Sequence, residues 1–375
     1  MKQRLGLKKI LLHLGLFLIT LVGTTFAGAE WMYGKFLLFT GVSFQEFLGG
    51  LSFSLPFLGI LTVHEFGHYF TAKYYKLKVT LPYYIPMWFF GAGPSIGTMG
   101  AFISIKSRIP TRKAFFDVGV SGPLAGFVIA VGVLYYGFTH LPPAEYIFEI
   151  HPEYKQWGMD YAKYAYQEEE ATIIMGTNLL MEFFKEYVVE DRTLIPNPHE
   201  IMHYPFLLAG FLACFFTALN LIPIGQLDGG HVLYGMIGRK WHSRIAPGIF
   251  SLFLFFAGLG LFSAKEGYGV YPLYGAPIYI YFLYWVLAKA FRQSMNRIVV
   301  AMAIFTAQLV IKTYWPSAQG FEGWLLFAFI LGRVLGVHHP PATIEAPIGL
   351  RRQLLGWLSW LVFILCFSPM PIEIV

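Results

Sequence analysis

Charged residues are scarce in this chain of 375 residues, in which Asp, Glu, Lys and Arg together make up 13% of the sequence. Soluble globular domains usually carry about 25% charged residues. Hydrophobic residues make up 56%, and several stretches of roughly 20 residues contain almost no charge, which is enough to cross a bilayer. The composition therefore excludes an ordinary soluble domain and predicts a protein that crosses a membrane several times.

Cysteine is almost absent. The chain has two cysteines, Cys214 and Cys366, and each lies inside an apolar run. This excludes a disulfide framework and a cysteine-based metal site, so both are interpreted as packing residues.

We predict eight or nine transmembrane helices from the apolar runs. The first run follows a basic start and has some features of a signal peptide, but more spans follow closely, so we interpret it as a retained span. The candidate spans are residues 10–28, 47–72, 115–138, 204–224, 245–263, 274–290, 298–314, 321–336 and 353–370.

The basic residues are distributed in a pattern that indicates topology. The net charge is +6, although residues 141–203 hold twelve acidic and four basic residues. Clusters of Lys and Arg occupy alternate junctions between the predicted spans, as the positive-inside rule expects. This favours nine spans, a cytosolic N-terminus and an insert, residues 139–203, on the outer side, and it argues against nucleic-acid binding. The clusters fall within residues 2–9, 73–78, 106–113, 239–244, 289–297 and 333–352.

The stretch 76–114 is apolar and glycine-rich, and it contains Pro82, Pro86 and Pro94, which exclude one continuous helix. Within it, "GTMGAFISIKS" alternates apolar with small or polar residues, as a short strand does. Strands at membrane depth are tolerated where they pack on protein or line a wet cavity. We therefore predict a re-entrant β-hairpin beside the second span.

The second span contains the sequence "HEFGH" at residues 64–68. In a helix His64 and His68 share one face, so they can bind one metal ion together, and Glu65 lies about 100° away. This is the HExxH arrangement of zinc hydrolases, in which zinc lowers the pKa of its bound water to about 7 and the glutamate takes up the proton. A buried histidine pair without metal, or a soluble helix, would be the plainer interpretation. Ionisable groups at membrane depth each cost about 2.5–3.5 kcal/mol, which favours metal binding.

A catalytic zinc site needs a third protein ligand. The stretch "TALNLIPIGQLDGGH", residues 217–231, supplies Asp228 at the predicted cytosolic end of the fourth span, and Asn220 can donate to a developing oxyanion. Asp228 is our first candidate for the ligand and His231 the second. The other histidines considered are interpreted as plain polar residues; they are His140, His151, His199, His203, His242, His338 and His339.

Together, "HEFGH" in a span and the later "NLIPIGQLDGG" resemble the site-2 protease family of intramembrane zinc metalloproteases, peptidase family M50. "SGPLAGF", residues 121–127, resembles the family's glycine–proline span, and "GTMGAFISIKS" its substrate-receiving hairpin. The resemblance covers about residues 50–235. It implies that His64, His68 and Asp228 bind one Zn²⁺, that Glu65 activates the water, and that Asn220 holds the substrate carbonyl. It also implies that the substrate is a transmembrane segment of another protein.

The expected fold is an all-α polytopic membrane protein with a re-entrant β-hairpin near the active site and a small extracytoplasmic insert. The expected domains are an N-terminal helix with outer loop, 1–46, a catalytic membrane core, 47–235, and C-terminal helices, 236–375. A bacterial inner membrane is the expected location, with the active site toward the cytosol. A midplane metal or ion transporter, or a membrane-protein binder without protease activity, is the alternative function.

Overall fold

In the computed structural model, residues 6–166, 173–266 and 271–374 are described. They form two compact units. The first comprises Met1–Arg108, Ser121–Leu219 and Leu361–Val375, and the second comprises Ile109–Val120 and Asn220–Trp360. The predicted boundaries at residues 46/47 and 235/236 stay a prediction.

The architecture is mainly helical, as the composition predicts. The helices are α1 (Leu7–Tyr33), α2 (Phe44–Gly49), α3 (Leu51–Tyr74), α4 (Arg112–Thr139), α5 (Ile147–Ile150), α6 (Leu179–Tyr187), α7 (Pro205–Leu221), α8 (Asp228–Ala257), α9 (Ala276–Val286), α10 (Ser294–Tyr314), α11 (Gly323–Phe329) and α12 (Leu350–Cys366). The strands are β1 (Tyr83–Met87), β2 (Gly97–Phe102), β3 (Ile173–Met175) and β4 (Ile372–Ile374).

Four segments among the described residues are long and apolar enough to cross a membrane: Leu7–Tyr33, Phe44–Tyr74, Arg112–Thr139 and Ser294–Tyr314. Pro205–Leu221 and Gly323–Leu335 are shorter apolar helices. Large apolar side chains on these helices point outward, among them Leu11, Val128 and Leu326. Such surfaces are unfavourable in water and suit lipid, so the chain is a polytopic helical membrane protein. The number of eight or nine spans stays a prediction.

In the first unit, α1 and the start of α3 approach each other closely. Gly50 lies just before α3, and a Cβ there would be 2.1 Å from the carbonyl oxygen of Thr25, so only glycine fits. The hydroxyls of Thr25 and Ser54 form a hydrogen bond of 2.9 Å across the same contact. A small residue and an internally satisfied hydroxyl pair are typical of helix packing in membranes.

The predicted hairpin is present: β1 and β2 pair in antiparallel fashion, with Tyr83 opposite Phe102 and Met87 opposite Gly97. The register shifts between Tyr84 and Pro86, as expected where a proline removes a ladder donor. The observed strand β2 ends at Phe102, so it is shorter at its C-terminal end than the predicted strand "GTMGAFISIKS". Membrane depth of the hairpin stays a prediction.

The insert, residues 139–203, contains short helical turns and the amphipathic helix α6, whose apolar residues recur at helical spacing. Its strand β3 pairs with β4 near the C-terminal end of the chain, Ile173 opposite Ile374. That pairing was not predicted, because three-residue strands leave no periodicity in a sequence.

In the second unit, α8 is bent. Gly238 has φ 76° and ψ 174°, which interrupts the helix, and Arg112 donates to the carbonyl oxygens of Gly235 (2.8 Å) and Met236 (2.9 Å) beside the bend. Carbonyls freed at such an interruption need donors. The basic residue Arg112, predicted as part of a cytosolic loop cluster, is therefore a buried structural residue.

Candidate metal centre

The centre begins with three ionisable side chains on α3. His64, Glu65 and His68 are buried, with 5%, 5% and 6% of their surface exposed. The helix around them is built from an apolar run, and their spacing places both imidazoles on one face. Burial removes the hydration of ionisable groups, which is unfavourable, so such groups are normally paired or bind metal.

The two imidazoles meet through their Nε2 atoms, which lie 3.0 Å apart. Two nitrogens on one tetrahedral zinc, each about 2.0–2.1 Å from the ion, would lie about 3.3 Å apart. The Glu65 carboxylate lies 3.9 Å from His64 Nε2, and one donor atom from each of the three residues falls within 4.8 Å of the others. The donor set therefore fits zinc, and the structure brings together the three residues that the HExxH spacing selects.

Glycines of α4 explain how the next helix reaches this face. A Cβ at Gly122 would lie 2.1 Å from His68 Nε2, and a Cβ at Gly126 would lie 3.1 Å from His64 Cβ. On α3 itself, a Cβ at Gly67 would meet the carbonyl oxygen of Ser121 at 2.6 Å. The small residues of "SGPLAGF" therefore keep the space next to the two imidazoles clear.

The hairpin of β1 and β2 is hydrogen-bonded to α3, the helix that carries the three ionisable side chains. Tyr84 of β1 forms a hydrogen bond of 2.7 Å with the hydroxyl of Thr62, two residues before His64. On the other side, His13 of α1 forms a hydrogen bond of 2.9 Å with the carbonyl oxygen of Pro82. These bonds fix the base of the hairpin against α1 and α3.

Asn220 and Asp228 belong to the second unit. Asn220 lies in the last turn of α7, and Asp228 is the first residue of α8, where the helix dipole favours a carboxylate. Pro223 lies in the connection after α7, as its sequence position predicts. The expectation that Asp228 closes the fourth span is wrong in detail: α7 ends at Leu221 and Asp228 opens the next helix.

The two glycines after Asp228 allow a tight connection between α7 and α8. A Cβ at Gly229 would lie 2.0 Å from the carbonyl oxygen of Leu221, and one at Gly230 would lie 2.4 Å from that of Gly225. Larger residues would force the start of α8, and Asp228 with it, to move.

A sequence profile of peptidase family M50 matches residues 52–262, more than half of the chain. The chain belongs to peptidase family M50. All five predicted site residues fall inside the matched M50 region: His64, Glu65, His68, Asn220 and Asp228.

Several plant proteins are similar in sequence to part of this M50 chain. The probable zinc metalloprotease EGY2, chloroplastic, of Oryza sativa subsp. indica is 29% identical over 52% of this chain and 31% of its own length. The probable zinc metalloprotease EGY1, chloroplastic, of Arabidopsis thaliana is 28% identical over 49% and 29%. The probable zinc metallopeptidase EGY3, chloroplastic, of the same plant is 27% identical over 59% and 36%. The matched region is thus about a third of each of these relatives.

No solved structure matches the chain. The names of the matched relatives place those proteins in chloroplasts, so the expectation of a bacterial inner membrane finds no support in them. Integration into a membrane rests on the apolar helices themselves.

The second unit also contains a group of three histidines, His231, His242 and His339; the first two lie inside the M50 match and His339 lies beyond it. His231, the second candidate for the third ligand, forms a hydrogen bond of 2.7 Å through Nδ1 with Nε2 of His339. His339 stacks on Tyr234 at 3.9 Å, and burial lowers its pKa to about 2. Burial also lowers the pKa of His242 to about 4, so both rings are neutral at pH 7.

The interpretation of His242 and His339 as plain polar loop residues is therefore wrong, since both are buried. No sequence signal connects His339 to this group, because it lies 108 residues after His231 and outside α8, the helix that carries His231 and His242. Because Nδ1 of His231 forms a hydrogen bond with His339, Asp228 stays the first candidate for the third ligand.

Proposed function

We propose that this M50 chain is an intramembrane zinc metalloendopeptidase of site-2 protease type, which hydrolyses peptide bonds in the transmembrane segments of other membrane proteins. The observation that carries the proposal is the buried group of His64, Glu65 and His68, whose nitrogens have the separation that one metal ion requires. The names of the matched relatives add support, since they describe probable zinc metalloproteases.

Each residue has a proposed role. His64 and His68 hold one zinc ion through Nε2, and Asp228 supplies a carboxylate oxygen as third ligand. Bound zinc acts as a Lewis acid that acidifies water and polarises a carbonyl. Glu65 accepts a proton from the attacking water through its carboxylate and later gives a proton to the leaving amine. Asn220 donates an amide hydrogen bond to the oxygen of the scissile carbonyl.

The surroundings of Glu65 suit hydrolysis better than metal transport, which was the alternative function. A transporter needs ligands that release their ion, whereas a carboxylate beside the metal-binding face serves as a base. Glu65 lies 3.9 Å from His64 Nε2 and is almost fully buried. In that position the carboxylate can reach a water next to the metal.

The hairpin is proposed to hold the substrate. Within the described residues the sheet of β1 and β2 has two strands, so each strand has an edge to which an extended segment can be added. Met99 and Phe102 on β2 are 59% and 48% exposed and offer apolar contacts to a transmembrane segment. Strand addition would present the backbone of the substrate in extended form, which a peptidase requires for access to the scissile carbonyl.

Location is proposed from the charge pattern. The alternating clusters of Lys and Arg favour a cytosolic N-terminus, with the metal centre toward the cytosolic side and the insert on the opposite side. The substrate is a transmembrane protein in the same bilayer.

Metal analysis of the detergent-purified chain tests the proposal. His64→Ala and Asp228→Ala are each expected to lower the zinc content by one ion per chain and to abolish cleavage of a transmembrane substrate. The control is His140→Ala, which removes an exposed histidine of the outer insert. An unchanged zinc content in His64→Ala would refute the proposed centre, and an unchanged content in Asp228→Ala would remove Asp228 from the ligands.

The hairpin role has its own prediction. Gly100 has φ 102°, with open space around its Cβ position, so Gly100→Val strains the backbone of β2 by about 1–3 kcal/mol without creating a clash. We expect the kcat/KM for a transmembrane substrate to fall by at least about 10-fold at constant zinc content. Gly93→Val is the matched control, since Gly93 has equal space and no positive φ. Normal turnover in Gly100→Val would count against the hairpin as the docking edge.

A further inference from the structure

A second group of metal-ligating side chains lies in the insert. His151 follows α5, and Glu200 and His203 lie about 50 residues later, before α7. One donor atom from each falls within 4.8 Å of the other two. We call these three residues the insert cluster. No helical spacing connects His151 with His203, so the sequence alone indicates plain polar residues at both positions.

Hydrogen bonds on the far side of each ring decide which nitrogens carry protons. His203 Nδ1 lies 2.9 Å from the carbonyl oxygen of Met32, and His151 Nδ1 lies 2.9 Å from the carboxylate of Glu153. Both partners are acceptors only, so each Nδ1 must donate. A neutral imidazole that donates from Nδ1 presents a lone pair at Nε2.

The two lone pairs point at the same place. Nε2 of His151 and Nε2 of His203 are 3.3 Å apart, and Oε2 of Glu200 lies 3.2 Å from His203 Nε2 and 3.8 Å from His151 Nε2. Three atoms with lone pairs therefore face one another, and no N–H or O–H hydrogen lies between them. One added proton would satisfy one of these three contacts, whereas one metal ion would satisfy all three.

The distances and outer partners suit a metal. Ligand atoms on a tetrahedral zinc ion lie about 3.3 Å apart, close to the separations in the insert cluster. The other oxygen of Glu200 accepts a hydrogen bond of 2.6 Å from Tyr166, and both histidines donate through Nδ1, which is how metal-binding imidazoles and carboxylates are usually oriented. Glu200 and His203 are 2% and 3% exposed, so their orientation is fixed by packing.

The insert cluster leaves room for a fourth ligand. His151, Glu200 and His203 all line a cavity of about 460 Å³, whose walls include Trp31 and Trp157. A water or a small donor molecule can occupy the fourth position from this cavity. Two imidazoles and one carboxylate are a donor set that zinc accepts readily, and other divalent transition metals bind it as well.

We propose that His151, Glu200 and His203 form a second metal site, which binds a divalent transition metal of the zinc class. The site joins both ends of the insert, and through the bond from His203 to Met32 it fastens them to the end of α1. It is independent of the proposed protease centre, and it raises the expected metal content from one ion to two ions per chain.

The test uses the chain of 375 residues, purified in detergent, with the substitutions His64→Ala and His68→Ala. Together the two substitutions remove the proposed protease centre. Bound metal is first removed by chelation and dialysis. Co²⁺ is then added and its visible absorption is recorded, because the absorption spectrum of Co²⁺ depends on its coordination geometry and its ligands. We expect one equivalent of tetrahedral Co²⁺, displaced by Zn²⁺. Adding His151→Gln or His203→Ala should weaken binding at least 10-fold, and adding His140→Ala should leave it unchanged.

Two results would overturn the proposal: no Co²⁺ or Zn²⁺ bound by the His64→Ala/His68→Ala chain, or binding unchanged by His151→Gln. The His151 side chain is 27% exposed, so its replacement by glutamine spares the packed interior and keeps folding separable from metal loss. Failure of the protease centre looks different. In that case the wild type and the His64→Ala/His68→Ala chain would each hold one ion, and His151→Gln would remove it.

Discussion

Glu65→Gln is expected to keep the zinc content of the wild type and to lose cleavage by about 10²–10⁴-fold, the contribution typical of a general base. Glutamine has nearly the shape of glutamate, so it preserves the packing of a side chain that is 5% exposed. Its amide cannot accept the proton that hydrolysis must remove from water. Metal content and the initial rate of cleavage, measured on the same samples, separate loss of the base from loss of the metal.

The matched control for this variant is Glu145→Gln, which makes the same change at an exposed position of the insert. It should match the wild type in both measurements. Cleavage by Glu65→Gln at the wild-type rate would show that another group takes the proton. Loss of zinc from Glu65→Gln would instead show that Glu65 is a ligand.

Gly122→Ala is expected to weaken zinc binding at the protease centre by about 10–100-fold or more, although Gly122 is not a ligand. The added Cβ would lie 2.1 Å from His68 Nε2 and 2.5 Å from two further ring atoms, so the imidazole must rotate away. Loss of activity should follow the loss of metal. A zinc titration of the chelated protein measures the shift in affinity.

Gly132→Ala is the control for this prediction. It lies on the same helix, α4, and a Cβ there would have no neighbour within 4 Å. Replacing glycine by alanine in a helix interior otherwise stabilises it by roughly 0.5–1 kcal/mol, so Gly132→Ala should keep full metal affinity and activity. Equal affinities in Gly122→Ala and Gly132→Ala would contradict the packing of α4 against the imidazoles.

Local spacing made the central group predictable. His64 and His68 are four residues apart, and helical geometry alone brings their rings together, as the 3.0 Å separation confirms. Pro82, Pro86 and Pro94 excluded one continuous helix, and the alternation in "GTMGAFISIKS" predicted a strand, which the structure has as β2. Proline interrupts helices, so Pro223 in "NLIPIGQLDGG" indicates a helix end near it, and α7 ends at Leu221.

Contacts between distant segments were not predictable. His203 reaches the carbonyl of Met32 across 171 positions of sequence, and His231 meets His339 across 108. Neither pair leaves a periodic signal, since pairing of this kind depends on tertiary packing. The interruption of α8 at Gly238 was also missed, because the glycine-rich sequence around it does not mark which glycine takes a positive φ.

The proposed cleavage of peptide bonds within the membrane can be measured directly. The most direct measurement reconstitutes the wild type in lipid vesicles with a single-span membrane protein and determines the new termini by mass spectrometry, with and without chelator. We expect zinc-dependent cleavage inside the apolar segment of the substrate, and no such cleavage by Glu65→Gln. Cleavage confined to residues outside the bilayer, or cleavage that persists with chelator or in Glu65→Gln, would contradict this expectation.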